Sequence, residues 1–531
     1  MTEPEVKVLM LKGDKGDGLS DDDMQKVKSL IASKVVEAKE SINNSLNARI
    51  ASARYVPEVF SNSDSLKKAY PSGKDGIFIT ADTGHMWLFV NGNWNDTGQY
   101  QTTADAKEFD DALITKPDAY DIPILYLYGD GIPSLKKKSD SLSDGIRYSF
   151  PKFNTSGNLD KIKVQGDSSA FLAKKNYTLK FEHSVEIFPE FGKQNKYVIK
   201  ADMTDFSHVR NTGCAKIWGK VRETRIKADD AIKLNDTDYL VDNAGNHVVG
   251  ESDPQLSIGG TYGAVNGFPI VVYINDLYWG LYSFNIPKDA CMAKMPNKAG
   301  HAIVSATWTR LDMPIKFDDT DMEIEFCGTE DTAWVVSSIN TLVNTLDADY
   351  TSASDFDNAI TNLLDIDSAI DYYVYSAAIG NVDGMVRNFL LQTWNGEKWY
   401  LAAYDLDMTF GRTPDLPSWL SPIYNGDNIR RGGATLINLS KGDGNRLFYQ
   451  LWKFHKEDII ARYKELVSGA LSSGAVSTLL TNFVAPIPVA LLNQEDKRWL
   501  QTPLTGTNNL SQIRWWYMEH TNFLTNSISN I

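Results

Sequence analysis

Two short stretches of this chain carry the strongest indication of its fold, Asn381-Val382-Asp383-Gly384-Met385-Val386-Arg387-Asn388 and Tyr404-Asp405-Leu406-Asp407. Asp383 and Asn388 stand five positions apart, and an apolar, strand-like run separates them from Asp405. One carboxylate can orient a hydroxyl group, while an amide oxygen and a second carboxylate can hold a magnesium ion. The two stretches therefore predict a site that combines these functions.

This layout, Asp-x-x-x-x-Asn with a second Asp downstream, is typical of the catalytic loop and the metal-binding aspartate of kinases. Each residue also has a structural interpretation. Asp383 lies in a loop rich in Gly and Asn, where aspartate commonly forms turns. Asp405 and Asp407 follow a strand and can be surface carboxylates. The other segments of the chain distinguish between a catalytic and a structural interpretation of these residues.

Composition indicates a globular protein and excludes some partners. The chain has 531 residues, 42% of them apolar and 23% charged, which suits two to four domains. The formal net charge is −15. We expect no nucleic-acid partner, because binding to phosphates over a broad surface needs an excess of Lys and Arg.

Cysteine and apolar patterns narrow the class further. The chain has three cysteines and seven histidines without ligand spacing, which argues against a disulfide framework or a Cys-rich zinc site. The N-terminus lacks a basic region followed by an apolar run, so we predict no signal peptide. The longest apolar runs are too short to span a bilayer, and we expect no membrane insertion.

The N-terminal region predicts an oligomeric stalk. Residues 1–18 form a tail whose positions 13–18 read Gly-Asp-Lys-Gly-Asp-Gly, two collagen-like triplets. In residues 19–55 apolar positions recur every eleven residues, as at Met24, Val35 and Leu46. This period predicts a coiled coil with a right-handed supercoil. A single amphipathic helix docked on its own domain is the alternative. The triplets beside a coiled coil favour a homotrimer.

Residues 56–101 predict a small β-module, and residues 102–121 a linker. The module has turns at Asp82-Thr83-Gly84 and Asn91-Gly92 around an apolar strand. It resembles small β-modules near the N-terminus of bacteriophage baseplate and fibre proteins. Trp87 and Trp94 could stack on sugars or form the core of the sheet.

Residues 122–531 predict one large α+β domain with two lobes, in which strands come first and helices later. The strand candidates are Ile122–Tyr128, Lys161–Val164, Asn176–Phe181, Tyr197–Ala201, Phe268–Ile274 and Trp279–Phe284. Helical spacing is seen at Thr332–Leu346, Phe356–Leu364, Ile366–Ile379 and Leu447–Leu471. A hairpin is predicted at Phe389–Ala403.

Several of these segments, in order, resemble the CotH-type kinases of spore coats. The matching stretches are Ile122–Leu127, Val164–Ser169, Lys174–Lys180, Ala201–Asn211, Tyr273–Tyr282, and the two stretches quoted first, with Phe410-Gly411. Two segments depart from the family pattern. Gln165-Gly166-Asp167-Ser168-Ser169 stands where the family usually has Arg-Gly-Asn-Ser-Ser, and Ala403-Tyr404 stands where it usually has Pro-Trp. No glutamate that would orient a phosphate-binding lysine is recognisable.

The resemblance implies an atypical protein kinase with a two-lobed fold that binds Mg²⁺ and ATP. By position, Asp383 would be the catalytic carboxylate. The metal ligands would be Asn388, Asp405 and Asp407. The residues around the nucleotide phosphates would be Gly166, Ser168, Ser169, Lys175 or Lys180, and Arg210.

Two functions follow as hypotheses. In the first, the chain is a phage virion protein, a trimeric tail or head fibre or a baseplate component, made in a host bacterial cytoplasm. Its kinase-like domain would attach the particle to a host cell-surface glycan or protein, or decorate it beside other virion proteins. In the second, the domain is an active Mg/ATP-dependent Ser/Thr kinase that modifies virion or host-envelope proteins.

Overall fold

The computed structural model describes residues 58–99 and 121–529 with internal gaps. The longer gaps are 100–120, 412–444 and 500–509, and residues 227–253 are described only at 233–234 and 240–241. Short gaps fall at 75–77, 81, 84, 91, 167, 204, 206, 308, 310, 312–314, 318–320, 382 and 386. The predicted tail, the coiled coil of 19–55 and nearly all of the linker lie outside the described residues. The chain divides into two compact units, Met1–Phe109 and Asp110–Ile531.

The first unit contains the predicted small β-module. Its elements are β1 (Glu58–Phe60), α1 (Ser63–Ala69), β2 (Phe78–Thr80), β3 (His85–Val90) and β4 (Asn93–Gln99), with the four strands in sequence order. Trp94 meets Phe78 and Phe89 edge-on, with ring centroids 5.1 and 5.3 Å away. Its indole nitrogen donates to the Tyr70 carbonyl at 3.1 Å. Trp94 therefore belongs to the aromatic core of the module.

The second unit begins with a strand-rich half. Its strands are β5 (Ile124–Tyr128), β6 (Ser141–Leu142), β7 (Arg147–Phe150), β8 (Thr155–Gln165), β9 (Asn176–Val185), β10 (Gln194–Lys200), β13 (Gly267–Ile274) and β14 (Leu277–Asn285). They form one sheet in the order β6-β8-β7-β5-β13-β14-β10-β9. A further pairing of β8 with β9 closes this sheet on itself like a barrel. Short strands β11 (Lys233–Leu234) and β12 (Leu240–Val241) pair separately.

A four-stranded sheet follows and separates two hydrophobic cores. It contains β15 (Ala302–Ala306), β16 (Met322–Cys327), β17 (Phe389–Thr393) and β18 (Tyr400–Ala403), in the order β16-β15-β17-β18. Leu390 on one face packs into the core of the closed sheet, whereas Leu391 on the other face packs into the core of the helices. This alternation is expected of strands buried on both sides.

The remaining elements are helices. They are α2 (Thr212–Glu223), α3 (Ala333–Asp347), α4 (Ala353–Ile360), α5 (Ile366–Ile379), α6 (Arg446–Phe454), α7 (Lys456–Ser468), α8 (Ser473–Val484), α9 (Val489–Arg498) and α10 (Leu510–Ile528). None of these described helices combines the length and apolarity needed to cross a membrane.

Most predicted elements of this unit are confirmed, including the helix Ile366–Ile379 and the hairpin of β17 and β18. The helical spacing at Leu447–Leu471 corresponds to two helices, α6 and α7, which the structure separates at His455. The two nitrogens of the His455 ring form hydrogen bonds with Asp458 at 3.0 Å and with Asp357 at 2.9 Å. The second bond connects the break between α6 and α7 to α4. The α+β class and the strand-to-helix order are confirmed.

Candidate active site

Asn388 and Asp405 lie at the same end of two neighbouring strands. Phe389 begins β17 and pairs with Ala403, which ends β18. Asn388 immediately precedes this pair, and Tyr404 and Asp405 follow it. Both Asn388 and Asp405 have positive φ, 59° and 49°. Since non-glycine residues rarely adopt this conformation, two turns here hold side chains in directions that a regular strand would not allow.

Asp383 is held beside Asn388 by two side chains. It begins a 3-10 turn, Asp383–Met385, after helix α5. Its Oδ1 accepts a hydrogen bond from Arg387 at 2.8 Å, and its Oδ2 accepts one from the Asn388 amide at 3.4 Å. The side chain of Asp383 is about one-tenth exposed. The predicted pair of Asp383 and Asn388 is therefore brought together.

A lysine reaches this region from the closed sheet. Lys200 ends β10, and its Nζ lies 3.9 Å from Asp405 Oδ1. Asn211, the residue before α2, has its amide nitrogen 3.5 Å from the same oxygen. Burial acts to lower the pKa of Lys200, but electrostatic interactions with the Tyr404 phenol and with the carboxylates of Asp405, Asp407 and Asp202 outweigh it and raise the pKa. Lys200 is therefore a permanent cation at physiological pH.

Acidic groups outnumber this lysine. Asp405, Asp407 and Asp202 all act on Lys200. Asp202 accepts a hydrogen bond from the Ser283 hydroxyl at 2.7 Å and is almost fully buried. Among the described residues, no three Asp, Glu, His or Cys side chains form a complete metal cage. Mg²⁺ is usually held by one or two carboxylates together with substrate phosphates, and the residues here fit that mode.

The loop predicted to border phosphates lies next to the strand end that carries Lys200. Gly166 has φ of +98°, and a Cβ there would stand 2.0 Å from the Ser169 hydroxyl. Ser169 accepts a hydrogen bond from the Asn176 amide at 3.0 Å, and Asn176 accepts one from the backbone N–H of Ala201 at 2.7 Å. Ser168 begins the 3-10 turn Ser168–Phe171. The small residues are thus linked to Ala201, the neighbour of Lys200.

The structure does not bring Lys175 or Lys180 to Asp405. The Lys175 ammonium donates to the carbonyl of Ala170 at 2.8 Å and to that of Leu172. Lys180 forms an exposed ion pair with Asp160 at 3.3 Å. Neither predicted lysine therefore lies at the strand ends of Asn388 and Asp405, and Lys200 is the lysine that lies beside Asp405. It was missed because nothing local distinguishes it from the other lysines of the strands.

Arg210 also has a different place from the one predicted. Its guanidinium is buried, donates to Asp205 at 2.6 Å and donates to the Thr409 carbonyl at 3.0 Å. Asp205 accepts further hydrogen bonds from the backbone N–H groups of Val209 and Arg210. Arg210 therefore supports the turn before α2, and we no longer assign it to the phosphates. Asn211, one residue later, is the side chain from this segment that contacts Asp405.

Comparison with known families identifies the domain. The family model described as CotH kinase protein matches residues 162–523, more than half of the chain. A search of the curated proteins finds no match. The matched range contains Lys200, Asp383, Asn388 and Asp405. The chain belongs to the CotH kinase family.

Proposed function

We propose that this member of the CotH kinase family transfers a phosphoryl group from a nucleoside triphosphate to a hydroxyl group of a protein. The observation that carries the proposal is the approach of Lys200 to Asp405, together with the placement of Asn388 at the same strand ends. These residues come from separate parts of the chain, so their convergence does not follow from local structure. A cation, an amide and carboxylates are the groups that phosphoryl transfer requires.

Each side chain has a role in this proposal. Lys200 binds phosphate oxygens, because its charge is maintained by the surrounding aspartates. Asp405, Asp407 and Asn388 would hold Mg²⁺, which neutralises the phosphate charge when it is bound. Asp383 orients the acceptor hydroxyl and takes its proton as the new phosphorus–oxygen bond forms, while the bond from the γ-phosphorus to the departing nucleoside diphosphate breaks. Arg387 fixes the direction of that carboxylate.

Phosphate incorporation from labelled ATP tests this activity. The wild-type protein, co-expressed or mixed with extracts of its host, should label Ser or Thr residues in the presence of Mg²⁺. Asp405→Ala should abolish the labelling. Asp160→Ala is the matched control, since it removes an exposed aspartate from the Lys180 pair. Equal labelling by all three proteins, or none by the wild type, would reject the enzymatic proposal.

We propose in addition that the chain is part of a phage particle, as a trimeric fibre or baseplate component. The proposal is supported by the collagen-like triplets at 13–18, the eleven-residue repeat of 19–55 and the β-module of 58–99. Phosphorylation during assembly inside the host would give the domain access to ATP. Its acceptors would then be virion or envelope proteins.

The oligomeric state tests the stalk. The full chain should have the mass of a trimer by light scattering, and a truncated chain beginning at Ile122 should be a monomer. A monomeric full chain would remove the argument for a fibre. This outcome would leave the enzymatic proposal standing, because the candidate site lies in the second unit.

A further inference from the structure

Among the described residues, no glutamate pairs with Lys200 in the way that orients the corresponding lysine of protein kinases. In those enzymes a glutamate on a helix after the lysine strand forms an ion pair with it. The helix in this position is α2, and its acidic residue is Glu223 at its last position. Glu223 forms an ion pair with Lys220 at 2.5 Å on the exposed side of the helix. Other side-chain contacts must therefore hold the end of β10 that carries Lys200.

The backbone beside Lys200 is held on both sides by side chains. Ala201 lies between Lys200 and Asp202, where the chain leaves β10. Its N–H donates to the Asn176 side chain at 2.7 Å, and its carbonyl accepts from the Lys174 ammonium at 2.7 Å. Both groups are buried. These two bonds set the position of the residue that connects the candidate lysine with a candidate aspartate.

Lys174 is in turn held by a carboxylate from far along the chain. Its Nζ lies 2.5 Å from Glu495 Oε1, and both side chains are almost completely buried. The other oxygen of Glu495 accepts from the Leu281 N–H at 2.8 Å and from the Tyr278 hydroxyl at 3.2 Å. Burial lowers the pKa of Lys174, and the charge of Glu495 opposes this effect. Removing Glu495 would leave an unpaired buried ammonium.

The local backbone is built around this ion pair. Gly280 has φ of +141°, and a Cβ there would lie 2.7 Å from Glu495 and 2.9 Å from Lys174. The ion pair therefore occupies the space that any larger residue would need. The glycine permits both the conformation and the close approach.

The element that carries Glu495 joins the two halves of the second unit. Helix α9 packs against β14 of the closed sheet, and Trp499 donates from its indole to the Trp279 carbonyl at 2.9 Å. Of its neighbours in sequence, α8 packs mainly against α2 and α10 with a smaller contact to β13, and α10 also packs against α5. Helix α9 thus connects the helical half to the strand end beside Lys200.

We propose that Lys174 and Glu495 are positioning residues that hold Lys200 in place for the nucleotide phosphates. In place of a glutamate on α2 that pairs with Lys200, Lys174 holds this strand end through its hydrogen bond to the Ala201 carbonyl. The inference rests on the proposed function for the role of Lys200. It predicts that nucleotide affinity depends on a helix more than two hundred and eighty residues away in sequence.

Substitution of Lys174 separates positioning from general stability. Lys174→Met should weaken binding of Mg-ATP about tenfold in calorimetric titration, a common size for coupling between sites. Lys216→Met is the matched control, because this half-buried lysine bonds Asn266 at 2.8 Å and its pKa is also lowered by burial. Equal affinity for Mg-ATP in the two variants would overturn the inference. If Lys174→Met does not fold, Glu495→Gln, which keeps the shape, takes its place.

Hydrogen exchange distinguishes failure of this inference from failure of the proposed function. If the wild type binds no Mg-ATP, the proposed function fails. The positioning is then decided by the exchange rate of the Ala201 amide in the protein without nucleotide. Exchange should be faster in Lys174→Met than in Lys216→Met or the wild type. Unchanged exchange at Ala201 would show that Lys174 does not hold this backbone.

Discussion

Two aspartates of the second unit differ in how completely their charge is matched. Asp371 on α5 is fully buried and contacts three arginines, Arg222 at 2.7 Å, Arg225 at 2.9 Å and Arg462 at 2.7 Å. Asp405 is 37% exposed, and its contacts with Lys200 and Asn211 are long, 3.9 and 3.5 Å. One carboxylate is enclosed by donors, whereas the other faces solvent with weak contacts.

The difference separates a structural ion cluster from a candidate binding site. Burial alone would raise the pKa of Asp371, but the arginines outweigh it and lower the pKa. Its charge is therefore fixed by the fold and joins α2, α5 and α7. The carboxylate oxygens of Asp405 make only long contacts with protein donors. Such a carboxylate can accept a ligand without breaking the structure around it.

Removal of the Asp371 charge should have the largest effect on stability. Asp371→Asn removes the buried carboxylate that three buried or half-buried arginines share, which should cost about 3–5 kcal/mol. Urea denaturation measures this loss. Asp367→Asn is the control on the same helix, since Asp367 is exposed and pairs with Arg225 at 2.8 Å. It should cost about 1 kcal/mol or less. Similar losses of unfolding free energy in both variants would show that the buried ion cluster contributes no more than the exposed ion pair of Asp367.

Substitution of Lys200 and of Lys180 tests the contrast by its effect on activity. Lys200→Met should lower kcat/KM about a hundredfold, since it removes a preorganised charge from the site. Lys180→Met should leave activity unchanged, because Lys180 pairs with Asp160 on the surface. Phosphate-transfer kinetics on the two variants measure the contrast. A loss in the Lys180 variant as large as in the Lys200 variant would support the original prediction instead.

The pH dependence of stability should report on the ion cluster around Asp371. Because the pKa of Asp371 is lowered in the folded state, its contribution is present above its unfolded value of about 3.9. The contribution is lost as the pH falls through the lower folded value. Urea midpoints of the wild type and Asp371→Asn should therefore converge on acidification below this range. A constant difference down to the lowest accessible pH would contradict the assignment.

Substitution of Asn211 should have the smallest effect of the four predicted changes. Its amide lies 3.5 Å from Asp405, so Asn211→Ala removes a weak orienting contact. We expect about a tenfold loss of kcat/KM, in the range of a neutral hydrogen bond lost with little change in shape. The measurement is the same kinetic assay. An unchanged rate would restrict the site to Lys200 and the acidic residues.

The site residues close in sequence to a strand end could be predicted. Asp383, Asn388 and Asp405 flank one hairpin, so local spacing and the hairpin turn are sufficient to place Asn388 and Asp405 side by side. The strand and helix order could be predicted for the same reason, since apolar periodicity is a local property.

The lysine could not be predicted, because its position depends on closure of the sheet. Lys175, Lys180 and Lys200 all lie on or next to apolar strands, and sequence does not show which end of which strand meets β18. The place of Arg210 depends on a bond to Thr409, almost two hundred residues away. The ion pair of Lys174 and Glu495 spans 321 positions and has no signal in either local segment.

The most direct test of the central claim is the melting temperature of the protein with ATP and Mg²⁺. The wild type should be stabilised by ATP with Mg²⁺ and much less by ATP with EDTA, because binding to the folded state shifts unfolding. Asp405→Ala should keep the melting temperature of the protein without ligand and lose the shift. A wild type that does not respond, or an Asp405→Ala variant that responds fully, would contradict a nucleotide site built on Lys200 and Asp405.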